Sequence, residues 1–318
     1  MTRYIVKKLL LMIPLLFLIS IILFTLISML PGDAVMSMIS DSGDIDYIEH
    51  LREQTGLDKP FHQQYISWIK NIFRGNLGRS IITRRPVIDI VKARLPVTLE
   101  LTLLAILFSI LIAIPAGILS AIKRNSTWDV ITSVISMFGI AMPPFWIGVL
   151  VIMVFSLKLN WFPASGFVPF FSNPIANIRS LIMPAFTIGL SFAATVMRQT
   201  RSAFLEILNQ DYITTARSKG VIERIVLFKH AFRNALIPII TVISMQIGRL
   251  IGGSVISETI FALPGVGREI ADGLLSRDYP IVMAMILITA IFVVTTNTLV
   301  DIILVFIDPR ITSSVQKE

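Results

Sequence analysis

The sequence contains no cysteine and only three histidines in 318 residues. Without cysteine the chain has no disulfide bonds, no thiolate metal sites and no cysteine nucleophile. The histidines, His50, His62 and His230, are scattered along the chain, so a shared metal site is not expected. The phosphate-binding motif G-x-x-x-x-G-K-[ST] and the zinc motif H-E-x-x-H are also missing. These absences argue against an enzyme, and we expect no metal site or cofactor in this chain itself.

Charged residues are scarce as well. They make up 15% of the sequence and hydrophobic residues 54%, whereas soluble domains carry about a quarter charged residues. The net charge of +8 is typical of a membrane protein whose basic residues lie in cytoplasmic loops. Because the chain has no polar domain that could present a nucleic-acid surface, no nucleic-acid partner is expected. The composition predicts an all-α protein surrounded by membrane lipid.

Six apolar stretches are long enough to cross a hydrocarbon core of about 30 Å, which requires about 20 apolar residues. They are residues 9–30, 101–122, 130–157, 180–197, 234–257 and 279–300. The third stretch contains the helix breakers Gly139, Pro143, Pro144 and Gly148. We interpret it as one helix bent at the proline pair; the alternative is a re-entrant hairpin. The first stretch is too long for a signal-peptide core and lacks a good cleavage site, so we expect it to remain as a span.

The distribution of Lys and Arg in the termini and short loops predicts the orientation of these spans. One side holds most of them: Arg3, Lys7, Lys8, Lys123, Arg124, Arg198, Arg201, Arg217, Lys219, Arg224, Lys229, Arg233, Arg310 and Lys317. The short loops of the other side hold Lys158, Arg179, Arg268 and Arg277. The first side is therefore predicted to be cytoplasmic, together with both termini.

The chain then divides into four segments. They are a cytoplasmic N-terminus with the first span (1–30), an external loop (31–99), a five-span core (100–307) with its cytoplasmic loop 198–234, and a cytoplasmic tail (308–318). Within the external loop, residues 48–55 and 61–73 have helical periodicity, and the second segment places Tyr65, Trp68, Ile69 and Ile72 on one face. This pattern fits helices on the bilayer surface and equally fits a docking site for an external partner.

The cytoplasmic loop is predicted to contain a pair of helices. Asp211 suits an N-cap, residues 213–219 make about two turns, and Gly220 supplies the left-handed residue that ends a helix. A second helix, at about 221–233, would align Val221, Ile225, Phe228 and Phe232 on one apolar face. Such a pair either lies on the lipid headgroups or receives force from another protein.

A transporter that works alone would place several ionisable groups near the middle of the membrane. Arg249 is the strongest candidate for such a group, and Asp301 lies alone near the cytoplasmic end of the last span. The two residues differ in depth, and one cation provides neither a proton relay nor a sodium site. A proton-coupled transporter is therefore kept as the alternative from another class.

Many short motifs along the chain occur in an order that resembles one protein family. They are Pro31-Gly32-Asp33, Gly56-Leu57-Asp58-Lys59-Pro60, Arg94-Leu95-Pro96, Trp161-Phe162-Pro163, Asp211-Tyr212, Thr215-Ala216-Arg217, Lys219-Gly220, Arg233-Asn234-Ala235-Leu236-Ile237-Pro238, Glu258-Thr259-Ile260-Phe261, Pro264-Gly265-Val266-Gly267, Arg277-Asp278-Tyr279-Pro280 and Asp308-Pro309-Arg310. This set resembles the ATP-binding-cassette (ABC) import permeases, and more narrowly their dipeptide, oligopeptide and nickel family.

The resemblance implies a type I ABC importer transmembrane domain in the cytoplasmic membrane of a prokaryote. Such a subunit moves di- or oligopeptides; nickel and glutathione are alternative cargoes. The implied partners are a second homologous permease subunit, two cytoplasmic ATPase subunits that bind ATP and Mg, and an external substrate-binding protein. This chain would hold no cofactor of its own.

The resemblance also implies roles for individual residues. Those that would couple the permease to the ATPase are Asp211, Tyr212, Thr215, Ala216, Arg217, Lys219 and Gly220. The wider superfamily often has Glu-Ala-Ala where this chain has Thr214, Thr215 and Ala216, so we expect any docking salt bridge to involve Asp211 or Arg217 instead.

Two further sites are hypotheses. At the outer mouth, Glu258, Pro264, Gly265 and Gly267 form either a gate or a plain connector, since glycines allow a close backbone approach. Arg249 either faces the translocation path, where it attracts a peptide carboxylate, or is satisfied by carbonyl groups or the partner subunit.

Overall fold

The computed structural model of the protein describes residues 2–29 and 59–307. The helices are α1 (Thr2–Ser28), α2 (Phe61–Phe73), α3 (Val87–Ile122), α4 (Thr127–Ala141), α5 (Pro144–Val151), α6 (Pro174–Leu208), α7 (Asp211–Ser218), α8 (Arg233–Ile260), α9 (Val266–Leu275) and α10 (Tyr279–Ile307). Two π-helical segments extend them: Ile152–Lys158 follows α5, and Val226–Phe232 precedes α8. The predicted helix at 48–55 lies outside the described residues. The all-α prediction is confirmed for the parts that the structure describes.

Helix α6 lies at the centre of the bundle, with α3 parallel to it. The Ser109 hydroxyl on α3 donates to the carbonyl of Gly189 on α6 at 2.8 Å. Further along both helices, a Cβ at Gly117 would lie 2.6 Å from the Met197 carbonyl oxygen. Because both contacts advance in the same direction along the two helices, α3 and α6 cross the bundle in the same sense. Small residues at these positions allow the two backbones to approach closely.

The segment between α3 and α6 crosses the bundle once, with a sharp bend. Helices α4 and α5 are bent by 107° at the break between them, and Pro144 is the first residue of α5. Ser136 contacts Met197, whereas Gly148, further along the chain, lies beside Thr187, nearer the start of α6, so the segment as a whole proceeds in the direction opposite to α6. Since α3 and α6 are parallel, the bent pair must return the chain across the bundle. The predicted bend at the prolines is present. Counted as one span, the bent pair is the third along the chain and brings the total among the described residues to six.

The first and last spans bring the two ends of the described chain to the same end of the bundle. Helix α10 runs antiparallel to α8, with Val293 beside Gly248, and α1 packs against α10. Lys8 on α1 forms an ion pair with Asp301 on α10 at 2.7 Å. The prediction that Asp301 is alone is therefore wrong, because α1 brings a cation to it from the far end of the sequence.

Two elements differ from the expectation for the external loop. Helix α3 begins at Val87, within the segment assigned to the loop, because Val87, Ile90 and Val91 are buried in a cluster with residues of α9 and α10. Helix α2 is present as predicted, but it packs on α1: Phe24 contacts the rings of Tyr65 and Trp68 at centroid distances of 5.5 and 5.4 Å.

Candidate functional site

The predicted coupling helix, α7, connects α6 to α8 at one end of the bundle. We call this end the inner end and the opposite end the outer end, after the orientation that the charge distribution predicts. Its Ile213 side chain is 0% exposed and belongs to the hydrophobic cluster that includes Phe204 of α6 and Val226 and Ala231 of the following π-helix. Ile213 is the one buried residue of α7. The other faces are open to the surroundings, except that Ala216 is half-buried. Helix α7 is thus held to the bundle by one buried apolar side chain, with Ala216 partly buried against the same cluster.

The two ends of α7 are formed by different means. Asp211 is the first helical residue, and Gln210 occupies the N-cap position with no side-chain cap, so the prediction that Asp211 is the N-cap is wrong by one position. Its carboxylate still lies where the helix dipole favours a negative charge. At the other end Gly220 has a φ of +76° and open space around it. The glycine is needed for its backbone conformation rather than for room.

Two of the predicted coupling residues make contacts within the chain. The Arg217 guanidinium pairs with the Glu223 carboxylate through two hydrogen bonds of 2.7 and 3.1 Å across the Gly220 turn, and this pairing raises the pKa of Arg217. The Asn234 amide of α8 donates to the Tyr212 hydroxyl at 2.9 Å. Tyr212 and Arg217 therefore fix α7 relative to α8, which connects the helix to a second span.

The outward side of α7 carries the other predicted residues. Asp211, Thr215 and Lys219 are exposed, and Thr215 uses its hydroxyl only within the helix, donating to the Asp211 carbonyl at 2.8 Å. Of the two candidates for a docking salt bridge, Arg217 is already paired with Glu223. The structure shows no such pairing for the Asp211 carboxylate among the described residues.

The second predicted helix of this loop is not a separate element. Residues Glu223–Ile225 and the π-helix Val226–Phe232 continue directly into α8. The α-helical spacing of the predicted face, Val221, Ile225, Phe228 and Phe232, is wrong, because residues Val226–Phe232 form a π-helix. A π-helix has a wider turn than an α-helix, so Val226 and Ala231, five residues apart, are both fully buried, while Phe228 is 62% exposed.

Arg249 lies on a face of α8 that no described residue covers. The exposed residues of this face are Thr241, Met245, Arg249, Gly252, Ile256 and Thr259. Their spacing of three or four residues places them in one row along the helix. The structure shows no ion pair or hydrogen bond between the Arg249 side chain and a described residue. An arginine within a span is costly against lipid, so this row requires either water or another protein beside it.

Near the end of α8 that is farther from α7, Glu258 takes part in a polar contact that joins three helices. Its side chain is 0% exposed. One carboxylate oxygen accepts from the Thr98 hydroxyl of α3 at 2.7 Å, and the other accepts from the Arg268 backbone N–H of α9 at 2.9 Å. The Thr98 hydroxyl in turn accepts from the Val266 N–H at 2.8 Å. The carboxylate thus satisfies free N–H groups at the start of α9.

The glycines beside Glu258 allow this contact. A Cβ at Gly265 would overlap the Glu258 carboxyl group, and a Cβ at Gly267 would lie 2.7 Å from Cα of Val255. Pro264, which precedes them, is half-buried. The Pro-Gly-Val-Gly motif therefore forms a turn that packs directly on α8. We call Thr98, Glu258 and the turn 264–267 the outer cluster.

Sequence reasoning missed a second buried carboxylate at the outer end. Asp278, just before α10, is 2% exposed and accepts from the Ser80 hydroxyl and the Ile81 N–H. It joins the end of the external loop to the last span. The signal was present in the motif Arg277-Asp278-Tyr279-Pro280, but the partner lies nearly 200 positions away in the sequence and could not be identified from spacing.

The inner end contains a third buried carboxylate. Asp129 of α4 is 5% exposed and forms a bidentate ion pair with Arg201 of α6 at 2.6 and 2.9 Å. The Ser120 hydroxyl of α3 also donates to it at 2.6 Å. The pattern Ser126-x-x-Asp129 at the start of a helix could have indicated the position, since Ser126 is the N-cap. This cluster joins three spans.

Comparisons with known proteins agree with this architecture. The family described as "Binding-protein-dependent transport system inner membrane component" matches residues 113–313, and its N-terminal family matches residues 1–102. A protein of Brucella suis biovar 1, named as a peptide transport system permease, is 41% identical over 98% of this chain and 99% of its own length. The oligopeptide transport system permease protein AppB of Bacillus subtilis is 41% identical, and the glutathione transport system permease protein GsiC of Escherichia coli K12 is 38% identical, each over 98% of this chain and 99% of the relative.

Proposed function

Since the chain belongs to the family of inner-membrane components of binding-protein-dependent transport systems, we propose that it is a permease subunit of an ABC importer that moves peptides inward. The cargo follows from the names of the relatives, which are permeases for peptides, oligopeptides and glutathione. Glutathione is itself a short peptide, so these names describe one chemical class. Nickel remains the alternative cargo.

The observation that carries this proposal is the construction of α7. The helix presents small and polar side chains outward, whereas its one buried residue, Ile213, packs in a cluster with Phe204 of α6. Tyr212 and Arg217 connect it to α8 and to the segment before α8. A displacement of α7 by a bound protein would therefore move two spans together. We assign the exposed Asp211, Thr215 and Lys219 with the Gly220 turn, and the half-buried Ala216 beside them, to the contact with the ATPase.

The uncovered row on α8 supports a second permease subunit as partner. Arg249 in this row needs a polar neighbour, and a homologous subunit facing α8 would enclose a water-filled path between the two chains. Each permease subunit would then receive one ATPase subunit, with ATP and Mg bound by the ATPases. An external substrate-binding protein would deliver the peptide at the end where α9 lies.

The orientation in the cytoplasmic membrane follows from the same elements. Lys8 and Asp301 lie at the end of the bundle where α7 lies, because α10 is antiparallel to α8. If α7 meets a cytoplasmic ATPase, both termini are cytoplasmic. The outer cluster around Glu258 then lies at the external mouth, where its buried carboxylate supports a role in holding the mouth in one conformation.

We propose that Arg249 attracts the C-terminal carboxylate of the peptide. An Arg249→Gln variant is expected to raise the KM for peptides with a free carboxylate by about tenfold, the loss of one charge-assisted hydrogen bond. The measurement is uptake by the reconstituted complex. C-terminally amidated peptides are the control, because their KM should not change. An equal change for both peptide forms would contradict the assignment.

The proposed function is tested by reconstitution in liposomes. The chain is assembled with its second permease, the ATPases and the binding protein, and uptake of a labelled dipeptide or tripeptide is measured. Uptake is expected to require ATP and the binding protein, and to be absent when this chain is inserted alone. Uptake by the chain alone, driven by a pH gradient, would favour the proton-coupled transporter instead.

A further inference from the structure

A short hairpin with three arginines lies at the outer end of the bundle. Ser80 N–H donates to the Arg85 carbonyl at 2.9 Å, and Val87 N–H donates to the Gly78 carbonyl at 3.0 Å. Arg79 and Pro86 form an antiparallel β-bridge, and Arg84 has a φ of +57° in the turn. Residues 78–87 therefore have one defined backbone conformation. We call this segment the arginine hairpin.

The hairpin is fixed to the beginning of α10. Ser80 is buried, and its hydroxyl, with the Ile81 N–H, donates to the buried Asp278 carboxylate. The position of a Cβ on Gly78 is 3.9 Å from Pro280. Because Asp278 and Pro280 mark the outer end of the last span, the hairpin lies over the end of that span. Among the described residues, the hairpin is thus part of the surface at this end of the bundle.

The hairpin presents positive charge that no carboxylate of the described residues pairs with. Arg79, Arg84 and Arg85 are exposed, and the structure shows no ion pair between them and any carboxylate of the described residues. One contact involves a guanidinium, that of Arg79 with the Arg84 carbonyl at 3.4 Å. Between residues 74 and 92 the sequence contains one acidic residue, Asp89.

We propose that the arginine hairpin is the docking site for an acidic surface of the external substrate-binding protein. This inference rests on the proposed function, which supplies an external protein partner. Guanidinium groups bind carboxylates through two parallel hydrogen bonds, and a hairpin that is already ordered loses little entropy on binding. Exposed charge of one sign also steers an oppositely charged protein and raises its association rate.

The test measures binding of the purified binding protein of the same transport system to the assembled complex in nanodiscs. In the variant Arg79→Gln, Arg84→Gln, Arg85→Gln, the association rate at low salt is expected to fall about tenfold or more, and its dependence on ionic strength is expected to become weaker. The concentration of binding protein that gives half-maximal uptake should rise by a similar factor. If the triple variant does not assemble, the double variant Arg84→Gln, Arg85→Gln replaces it. This variant keeps the Arg79 contact, and its association rate should fall in the same direction by a smaller factor.

A matched control removes the same charge from the same external loop outside the hairpin: Lys59→Gln, Lys70→Gln, Arg74→Gln. This control should keep most of the association rate. Equal rates for hairpin variants and wild type, or an equal loss in the control, would overturn the docking site. The docking site would also be overturned if the variants lowered the association rate only in nanodiscs that contain phosphatidylglycerol, because the hairpin would then act through the anionic lipid. If the wild-type complex shows no uptake that depends on the binding protein, the proposed function itself fails, which is a distinguishable result.

Discussion

The outer and inner ends of the bundle are held together in different ways. At the outer end, two carboxylates that are at most 2% exposed, Glu258 and Asp278, each join elements that are distant in sequence. At the inner end, α7 is anchored by the single buried side chain of Ile213. Regions with few buried contacts are displaced at low free-energy cost. The comparison indicates that the outer end behaves as one unit, whereas α7 is the part that a partner can move.

The inner end nevertheless has one rigid part. The bidentate pair between Asp129 and Arg201, with the Ser120 hydroxyl, joins α3, α4 and α6. Arg201 lies in the last turns of α6, shortly before α7 begins. Motion of α7 would therefore reach three spans through this cluster and not through α6 alone. The contrast between the ends is thus between a helix with one buried side chain and the buried polar clusters that join several spans.

The largest effect on stability is expected from Gly265→Ala. The new methyl group would overlap the Glu258 carboxyl group, which is buried and could move aside only by losing its hydrogen bonds from Thr98 and Arg268. We expect a loss of more than about 3 kcal/mol, at the upper end for overpacking of a buried site. Thermal unfolding of the purified protein measures it. Gly252→Ala is the matched control, because nothing lies within 4 Å of its Cβ position; equal stability of the two variants would contradict the tight packing at the outer end.

A smaller loss of stability is expected when the cluster of Ser120, Asp129 and Arg201 is changed. Asp129→Asn removes the charge that faces Arg201 and should cost about 2 kcal/mol, since one partner of a largely buried pair is left alone. A double-mutant cycle with Arg201→Gln separates the interaction from the side effects of each change. A coupling free energy near zero would show that the pair does not join α4 to α6.

The Gly220 turn should be sensitive to backbone conformation and insensitive to size. Gly220→Val should cost about 1–2 kcal/mol locally, because a β-branched residue avoids the left-handed region, and it should abolish ATPase stimulation and uptake. Gly220→Asn tolerates that region and should keep most of both activities. ATPase activity of the reconstituted complex distinguishes them. Normal coupling in the valine variant would count against α7 as the contact with the ATPase.

Three parts of the architecture were accessible from the sequence alone. The six spans follow from hydrophobic length, and the bend between α4 and α5 follows from Pro143 and Pro144, because a proline cannot continue the helical hydrogen bonding. The left-handed turn after α7 follows from Gly220. These features depend on residues that are neighbours in the chain.

The errors concern contacts between distant residues or departures from regular helix geometry. The partners of Asp278 and Asp301, which are Ser80 and Lys8, lie at the other end of the sequence. The apolar face of residues 221–233 was assigned with an α-helical period, whereas the segment Val226–Phe232 is a π-helix. No local pattern distinguishes these cases, since only packing against other helices fixes them.

The smallest effect is expected for the exposed pair of Arg217 and Glu223. Glu223→Gln should cost about 0.5 kcal/mol, because both side chains are exposed and water screens the interaction, and the difference should decrease at high salt. Glu206→Gln is the control: it is an exposed glutamate in α6, and the structure shows no ion pair for it with the described residues. A loss of several kcal/mol in Glu223→Gln would mean that α7 is held more firmly than the comparison of the two ends implies.

The central claim is that the outward face of α7 contacts the ATPase, and maleimide labelling tests it most directly. The chain has no cysteine, so Thr215→Cys introduces a single reactive thiol on that face, and Leu275→Cys introduces one on an exposed position at the outer end. In the complex with its ATPases, labelling of Thr215→Cys should fall strongly relative to the permease subunits alone, while labelling of Leu275→Cys stays the same. Equal labelling of Thr215→Cys with and without bound ATPase would contradict the claim.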